Sequence, residues 1–166
     1  MLIVLSNNII AGYMDKPAPP ADRLTDPVAL RLGYMLRRAS AAMMAGLGVA
    51  LAEIGLRPVE GTILILVGAN PGCIQSDVGR MLGIKRANMV PLIAALAGRG
   101  LVEKSPVDGR SLALSLTPAG EQLRVQVDAI MDAHEARFER LLAGRDISLL
   151  REALRLIAEE GEAGAE

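Results

Sequence analysis

Gln75-Ser76-Asp77-Val78-Gly79-Arg80-Met81-Leu82, then Gly83-Ile84, then Lys85-Arg86-Ala87-Asn88-Met89-Val90-Pro91-Leu92-Ile93-Ala94-Ala95-Leu96-Ala97-Gly98, is the stretch that decides how this chain folds. Both outer segments carry helical patterning, and a glycine-containing step of two residues separates them. A helix pair joined by so tight a turn is the unit whose second helix enters a DNA major groove. Directly downstream come Leu101-Val102-Glu103-Lys104-Ser105, the charged segment Pro106-Val107-Asp108-Gly109-Arg110, and the alternating run Ser111-Leu112-Ala113-Leu114-Ser115-Leu116. Asp-Gly between two short strand patterns marks a β-hairpin. Residues 73–117 therefore read as a winged helix-turn-helix, and the predicted class is mainly α (α+β).

The rest of the chain reads as a frame for that unit. The 166 residues suit one domain with a sizeable core. Half of them are apolar, yet the only aromatic residues are Tyr13, Tyr34 and Phe138, so the core must be aliphatic and methionine-rich. Mean hydropathy is positive, which favours apolar surface shared with a second copy over a monomer. No apolar run reaches the roughly 18 residues of a membrane span. Charge is uneven: residues 72–117 sum to +3, against −5 for residues 118–166 and +1 for residues 1–71. The positive part coincides with the helix pair and hairpin, where phosphates would need it. Cys73 is the single cysteine, which excludes an intrachain disulfide and points to a cytoplasmic setting.

Residues 1–14 are apolar but lack the basic start and cleavage site of a secretory signal. They read either as an arm packing on a partner subunit or as residues upstream of a true start at Met14. Residues 1–25 form this arm and a stiff linker, Lys16-Pro17-Ala18-Pro19-Pro20. Asp26-Pro27 is a helix-start signal, and Leu32, Leu36, Ala39, Met43, Leu47, Leu51 and Ile54 recur at steps of three and four up to Gly55. That predicts one long amphipathic helix over about 26–55. Pro58 opens a second helix, apolar nearly all round and hence interior, ending at Asn70-Pro71-Gly72. Thr117-Pro118 starts a long helix, with Glu121 one residue late for an ideal capping box. Asp146 caps a last helix with Leu150, Leu154 and Ile157 inward. The main domain thus covers 26–160, framed by long helical segments of about 26–55 and 117–160 to which the family resemblance described next assigns dimerisation, and 161–166 is an acidic tail.

Four segments, Met81-Leu82-Gly83-Ile84, Arg99-Gly100-Leu101-Val102, Asp108-Gly109-Arg110 and Leu116-Thr117-Pro118-Ala119-Gly120, stand in register. With them the chain resembles the MarR family of bacterial transcription regulators, in element order over about 28–158 and in specific motifs over 73–121. The resemblance implies a homodimer whose first, fifth and sixth helices interlock, with a recognition helix and wing on each subunit. It also implies a regulator, more often a repressor, that leaves its DNA when a small aromatic or acidic molecule binds. The chain departs from the family at two places. Ile74 stands where a Ser or Thr would cap the third helix, leaving Ser76 or Gln75 for that job. Pro91 lies inside the recognition helix, where it removes one hydrogen bond and is expected to bend it.

Lys85, Arg86 and Asn88 are the candidate base-reading residues. Arg or Lys can read guanine and Asn can read adenine by paired hydrogen bonds. Two cations at the positive end of a helix dipole are unfavourable unless phosphate partners them, which makes a merely solvated helix start the weaker reading. The resemblance implies that Arg110 at the wing tip reaches DNA while Asp108 orients it or a neighbour, although Asp108 also fits plain turn chemistry. Arg99 and Lys104 are assigned to phosphates or solvent. Met43, Met44 and Met131 can line an effector pocket, since thioethers adapt to varied apolar guests; at helical spacing their plainer reading is core. Arg37 and Arg38 are candidates for an effector's anionic group, against a solvated helix face. His134 reads as a hydrogen-bonded interior or interface residue, with an effector contact as the alternative.

No nucleophile elbow, phosphate loop or metal-ligand cluster is visible, so neither an enzyme nor a cofactor or metal site is expected. The expected partners are double-stranded DNA, a second copy and a small-molecule effector, with no membrane. Two alternatives remain: a redox-sensing regulator acting through Cys73, and a helical dimer that binds a ligand or partner with little DNA affinity.

Overall fold

The computed structural model describes residues 25–106 and 112–163, with side chains described as far as residue 160. Two compact units divide at Ala39/Ser40, inside helix α1 (Leu32–Ala52). In the described part of the first unit, Asp26-Pro27 makes a turn instead of starting the helix. Asp26 Oδ1 accepts from the Val28 N–H at 3.1 Å, and the Arg31 N–H donates to the Val28 carbonyl at 2.9 Å. Helix α1 thus begins at Leu32, six residues later than the expected start at Asp26. The same short Asx side chain that caps helices also closes turns on its own backbone, and here the turn wins.

The second unit carries the remaining elements. Helix α2 (Pro58–Ala69) is followed by β1 (Cys73–Ile74), α3 (Gln75–Met81), α4 (Arg86–Gly98), β2 (Val102–Pro106), β3 (Leu112–Leu116), α5 (Pro118–Leu141) and α6 (Ile147–Ala163). The strands form an antiparallel sheet in the order β1-β3-β2, with Cys73 opposite Leu114 and the hairpin paired from Val102–Leu116 to Pro106–Leu112. The order matches the sequence reading except for β1, which at two residues is too short to show a period.

Three of the helix ends share one device. At the ends of α1, α3 and α4 the chain passes through Gly55, Gly83 and Gly100, each with positive φ. After α3, the Gly83 N–H donates to the Arg80 carbonyl at 3.1 Å and the Ile84 N–H to the Gly79 carbonyl at 2.8 Å. This pair of bonds is the Schellman closure, which needs a left-handed residue at its centre. With φ at 62°, Gly83 supplies it without a Cβ clash. Backbone bonds thus close the turn between the two helices, and Leu82 and Ile84 on either side of Gly83 pack against the core.

The core is aliphatic, as the composition requires. Leu51, Ile63, Leu64, Val67, Met89, Ile93, Leu96, Leu114 and Val127 are almost fully enclosed, drawn from α1, α2, α4, β3 and α5. Helix α2 lies inside, with Ile63, Leu64 and Val67 wholly buried. Helix α5 is clamped at its first turn: Thr117 Oγ1 accepts from the Gly120 N–H at 3.0 Å and donates to the Gly100 carbonyl at 2.6 Å. A Cβ at Gly120 would stand 1.9 Å from the Leu101 carbonyl oxygen, so only glycine permits this approach. Glu121, one position late for the reciprocal cap, instead binds Arg124, with Nε at 3.0 Å. Asp146 Oδ1 caps α6 as expected, accepting from the Ser148 and Leu149 N–H groups.

Candidate nucleic-acid interface

Helix α3 starts at Ile74 with no side-chain cap, so neither Ser76 nor Gln75 takes that role. Helix α4 packs on it through buried Met89, whose Cγ would stand 3.0 Å from a Cβ placed on Gly79. The Lys85 carbonyl opens α4, accepting from the Asn88 and Met89 N–H groups at 2.9 and 3.1 Å. That leaves the side chains of Lys85, Arg86 and Asn88 exposed together on the first turn. Pro91 stands mid-helix on the exposed side, and α4 runs on past it to Gly98 as one helix. Beside this first turn lies a concavity of about 280 Å³, lined by Gln75, Ser76, Arg86, Val90 and Leu112 among others. Polar and apolar side chains therefore meet at the junction of α3, α4 and the root of the hairpin. Arg110 and Asp108 lie outside the described residues; the segment that holds them joins the Pro106–Leu112 pair.

Arg99 has a partner that the sequence did not suggest. At the C-terminal end of α4, its Nη1 donates to the Gly55 carbonyl at 3.0 Å, tying α4 to the corner between α1 and α2. Glu60 stands in the first turn of α2, and it is the one charged residue buried among those described. Its carboxylate accepts from the Arg57 N–H at 2.8 Å and from the Arg57 guanidinium at 2.9 Å. The Arg57 hydrogen bond holds the Glu60 carboxyl below its usual range against the opposing effect of burial, and the Arg99 charge adds to the lowering. A signal for this was present, since Glu at the third position after a Pro-opened helix start is half of a capping box. The Arg99–Gly55 contact spans 44 positions and left no local trace.

The candidate effector residues fall in two places. Arg37 and Arg38 belong to the first unit, where both guanidinium groups lie over the Tyr34 ring at 5.1 and 5.8 Å from its centroid. Met44 is exposed and Met43 half-buried on α1, while Met131 packs from α5 against the core. The His134 ring meets that of Phe138 in a tilted contact, centroids 5.0 Å apart and planes at 58°, and presses against α1 at Gly46, where a Cβ would lie 3.2 Å from Nε2. Its Nε2 is enclosed without a hydrogen-bond partner among the described residues, which departs from the expected bonded interior histidine. Cys73 is half-buried in β1; burial first, then the nearby Asp77 carboxylate, pushes its thiol pKa up, away from the thiolate that oxidant sensing uses. Among the described residues no group of three His, Cys, Asp or Glu side chains is placed to hold a metal, and no helix is long and apolar enough to cross a membrane.

Residues 54–111, which span α2, the helix pair and β2, match the model of the MarR family. The transcriptional repressor Rv2887 of Mycobacterium tuberculosis is 30% identical over 108 residues, covering 64% of this chain and 78% of the relative. The chain belongs to the MarR family. Two solved structures of the transcriptional repressor CouR are similar throughout the fold. CouR bound to a 23-mer DNA duplex is 35% identical with a TM-score of 0.72, over 76% of this chain and 92% of CouR. CouR bound to p-coumaroyl-CoA is 32% identical with a TM-score of 0.71, over 78% and 92% of the two chains. The MarR motifs of the sequence now have physical content. Met81-Leu82-Gly83-Ile84 is the Schellman turn before α4, Arg99-Gly100-Leu101-Val102 is the same closure leading into β2, and Leu116-Thr117-Pro118-Ala119-Gly120 is the clamp that starts α5.

Proposed function

We propose that this MarR-family chain is a non-enzymatic, ligand-responsive repressor that binds pseudo-palindromic double-stranded DNA as a homodimer in the cytoplasm. The observation that carries the reading is the joint exposure of Lys85, Arg86 and Asn88 on the first turn of α4. Cations gathered at a helix N-terminus are costly in water and favourable against phosphates. Arg86 and Asn88 take base edges, Lys85 a phosphate or guanine, and Arg110 with Asp108 makes the wing contact. The relation to DNA-bound CouR supports this assignment.

A second copy is supported by α6, none of whose described side chains is buried while Leu149, Leu150, Leu154, Leu156 and Ile157 stand exposed on it. In the dimer, two α4 helices enter successive major grooves about one helical turn apart, roughly 34 Å. An effector releases the DNA only if it binds a state whose helix spacing no longer fits, which is a requirement of differential affinity. Met43, Met44, Met131 and His134, with Arg37 and Arg38 for an anionic group, are the residues assigned to that effector. p-Coumaroyl-CoA, which CouR binds, is the first probe to use.

The deciding experiment is a fluorescence-anisotropy titration on duplexes tiling the upstream region of the gene and on random DNA, at two salt concentrations. Tight, salt-sensitive binding to one tile is expected. Equal, weak binding to every tile would overturn the reading in favour of a ligand-binding dimer with little DNA affinity.

A further inference from the structure

Past Asn88, α4 offers DNA no hydroxyl, amide or charged side chain: the run Met89 to Gly98 contains none. Met89, Ile93 and Leu96 account for the buried face. On the other faces stand Val90, 49% exposed, with Pro91 and Ala94 also exposed. Val90 lies one turn after Arg86, on the same flank of the helix, and both line the concavity that Leu112 reaches from the root of the hairpin. Leu112 is itself 47% exposed. A branched aliphatic side chain in this position is not core, and it adjoins the charged turn assigned above to DNA. In a major groove one base edge presents an apolar group, the C5-methyl of thymine.

Resting on the DNA-reading function proposed above, we infer that Val90 is a specificity-determining residue that reads a thymine methyl group. Exposed Pro91 and Ala94 add little bulk on the outward face, so α4 can approach the bases closely. Since one helical turn rises about 5.4 Å and base pairs are spaced about 3.4 Å, that thymine lies within about two base pairs of the pair contacted by Arg86. Each half-site then combines polar readout by Arg86 and Asn88 with methyl readout by Val90. Leu112 closes the apolar side of the contact.

The test starts by selecting a preferred duplex from a random pool with the full-length protein. Each thymine of that duplex is then replaced singly by deoxyuridine, which removes the C5-methyl and leaves every hydrogen-bonding group in place. Anisotropy titrations compare wild type with Val90→Ala. At one thymine per half-site the replacement is expected to weaken wild-type binding about fourfold, the value of one buried methyl, and to have little effect on Val90→Ala. The wild-type series stands whether or not the variant folds. If no replacement weakens wild type, or if the sensitive thymine is equally sensitive in Val90→Ala, the inference is overturned and Arg86 and Asn88 read the site alone. If no preferred duplex emerges, the DNA-reading function falls, and methyl readout with it.

Discussion

Helices α4 and α6 are both rich in apolar side chains, but the chain treats them in opposite ways. Thirteen-residue α4 sends Met89, Ile93 and Leu96 into the core and closes at both of its turns through glycine-centred backbone bonds. Seventeen-residue α6 has no buried side chain among those described, and five of its leucine and isoleucine side chains stand exposed. One element is complete within a single chain and the other is not. Most helical stability in proteins comes from packing an amphipathic face, and the exposed apolar side chains of α6 offer such a face to a partner. On the proposed function, that cover is a second copy.

The most drastic way to break the contrast is on the open side. Leu150 and Leu154 lie one turn apart, and Ile157 follows three residues on. Leu150→Glu combined with Leu154→Glu removes two apolar anchors per subunit, four per dimer, each worth roughly 1.5–3 kcal/mol when buried. Sedimentation velocity is expected to show a monomer at concentrations where wild type is dimeric. A dimer that persists in the double variant would mean that α6 is not the interface.

On the closed side, Ile93→Ala deletes a side chain with no exposure at all from the packed face of α4. The expected loss is about 2–5 kcal/mol in urea denaturation. A variant within about 1 kcal/mol of wild type would mean that α4 is less firmly seated than its burial implies.

Glu60 sharpens the same contrast through pH. Its carboxyl is held low in the folded protein, first by the Arg57 hydrogen bond, and in the unfolded chain it returns to the ordinary range near about pH 4.3. A depressed folded pKa contributes stability that is fully present above the unfolded value and is lost as pH falls through the folded one. Glu60→Gln is expected to cost about 1 kcal/mol at pH 7, where the charge-assisted bonds to Arg57 are replaced by neutral ones. The penalty should shrink on acidification towards pH 3. Equal penalties at both pH values would show that the carboxylate charge contributes nothing there.

Much of this architecture was legible because its signals are local. Pro58, Thr117 and Asp146 start helices, and Gly55, Gly83 and Gly100 end or join them, each acting within a few residues of its own position. The misses have two origins. Asp26-Pro27 is a signal shared by turns and helix starts, and the chain uses it for a turn. Strand β1 and the Arg99–Gly55 bond exist only once distant segments meet, so no window of sequence could reveal them. Lys85, Arg86 and Asn88, proposed above as the base-reading residues, were readable as a pattern, and all three are exposed at the start of α4, just after the Schellman closure at Gly83. The pairing of Arg57 with a buried Glu60 followed from helix-cap chemistry but was not recognised, because α2 looked apolar on every side.

The smallest effect is expected at Cys73. A sensing cysteine needs a stabilised thiolate and access to solvent, whereas Cys73 is half-buried in a paired strand and both burial and Asp77 favour its protonated form. Its neighbour across the sheet is the fully buried Leu114, so its side chain belongs to the closed part of the molecule. Cys73→Ser is expected to leave DNA affinity unchanged with or without a pulse of hydrogen peroxide. The comparison is made by anisotropy on the tile that binds wild type. Peroxide-triggered release in wild type that disappears in Cys73→Ser would make β1 the sensing element, and the switch would then sit in a paired strand beside the buried core instead of on the exposed apolar face of α6.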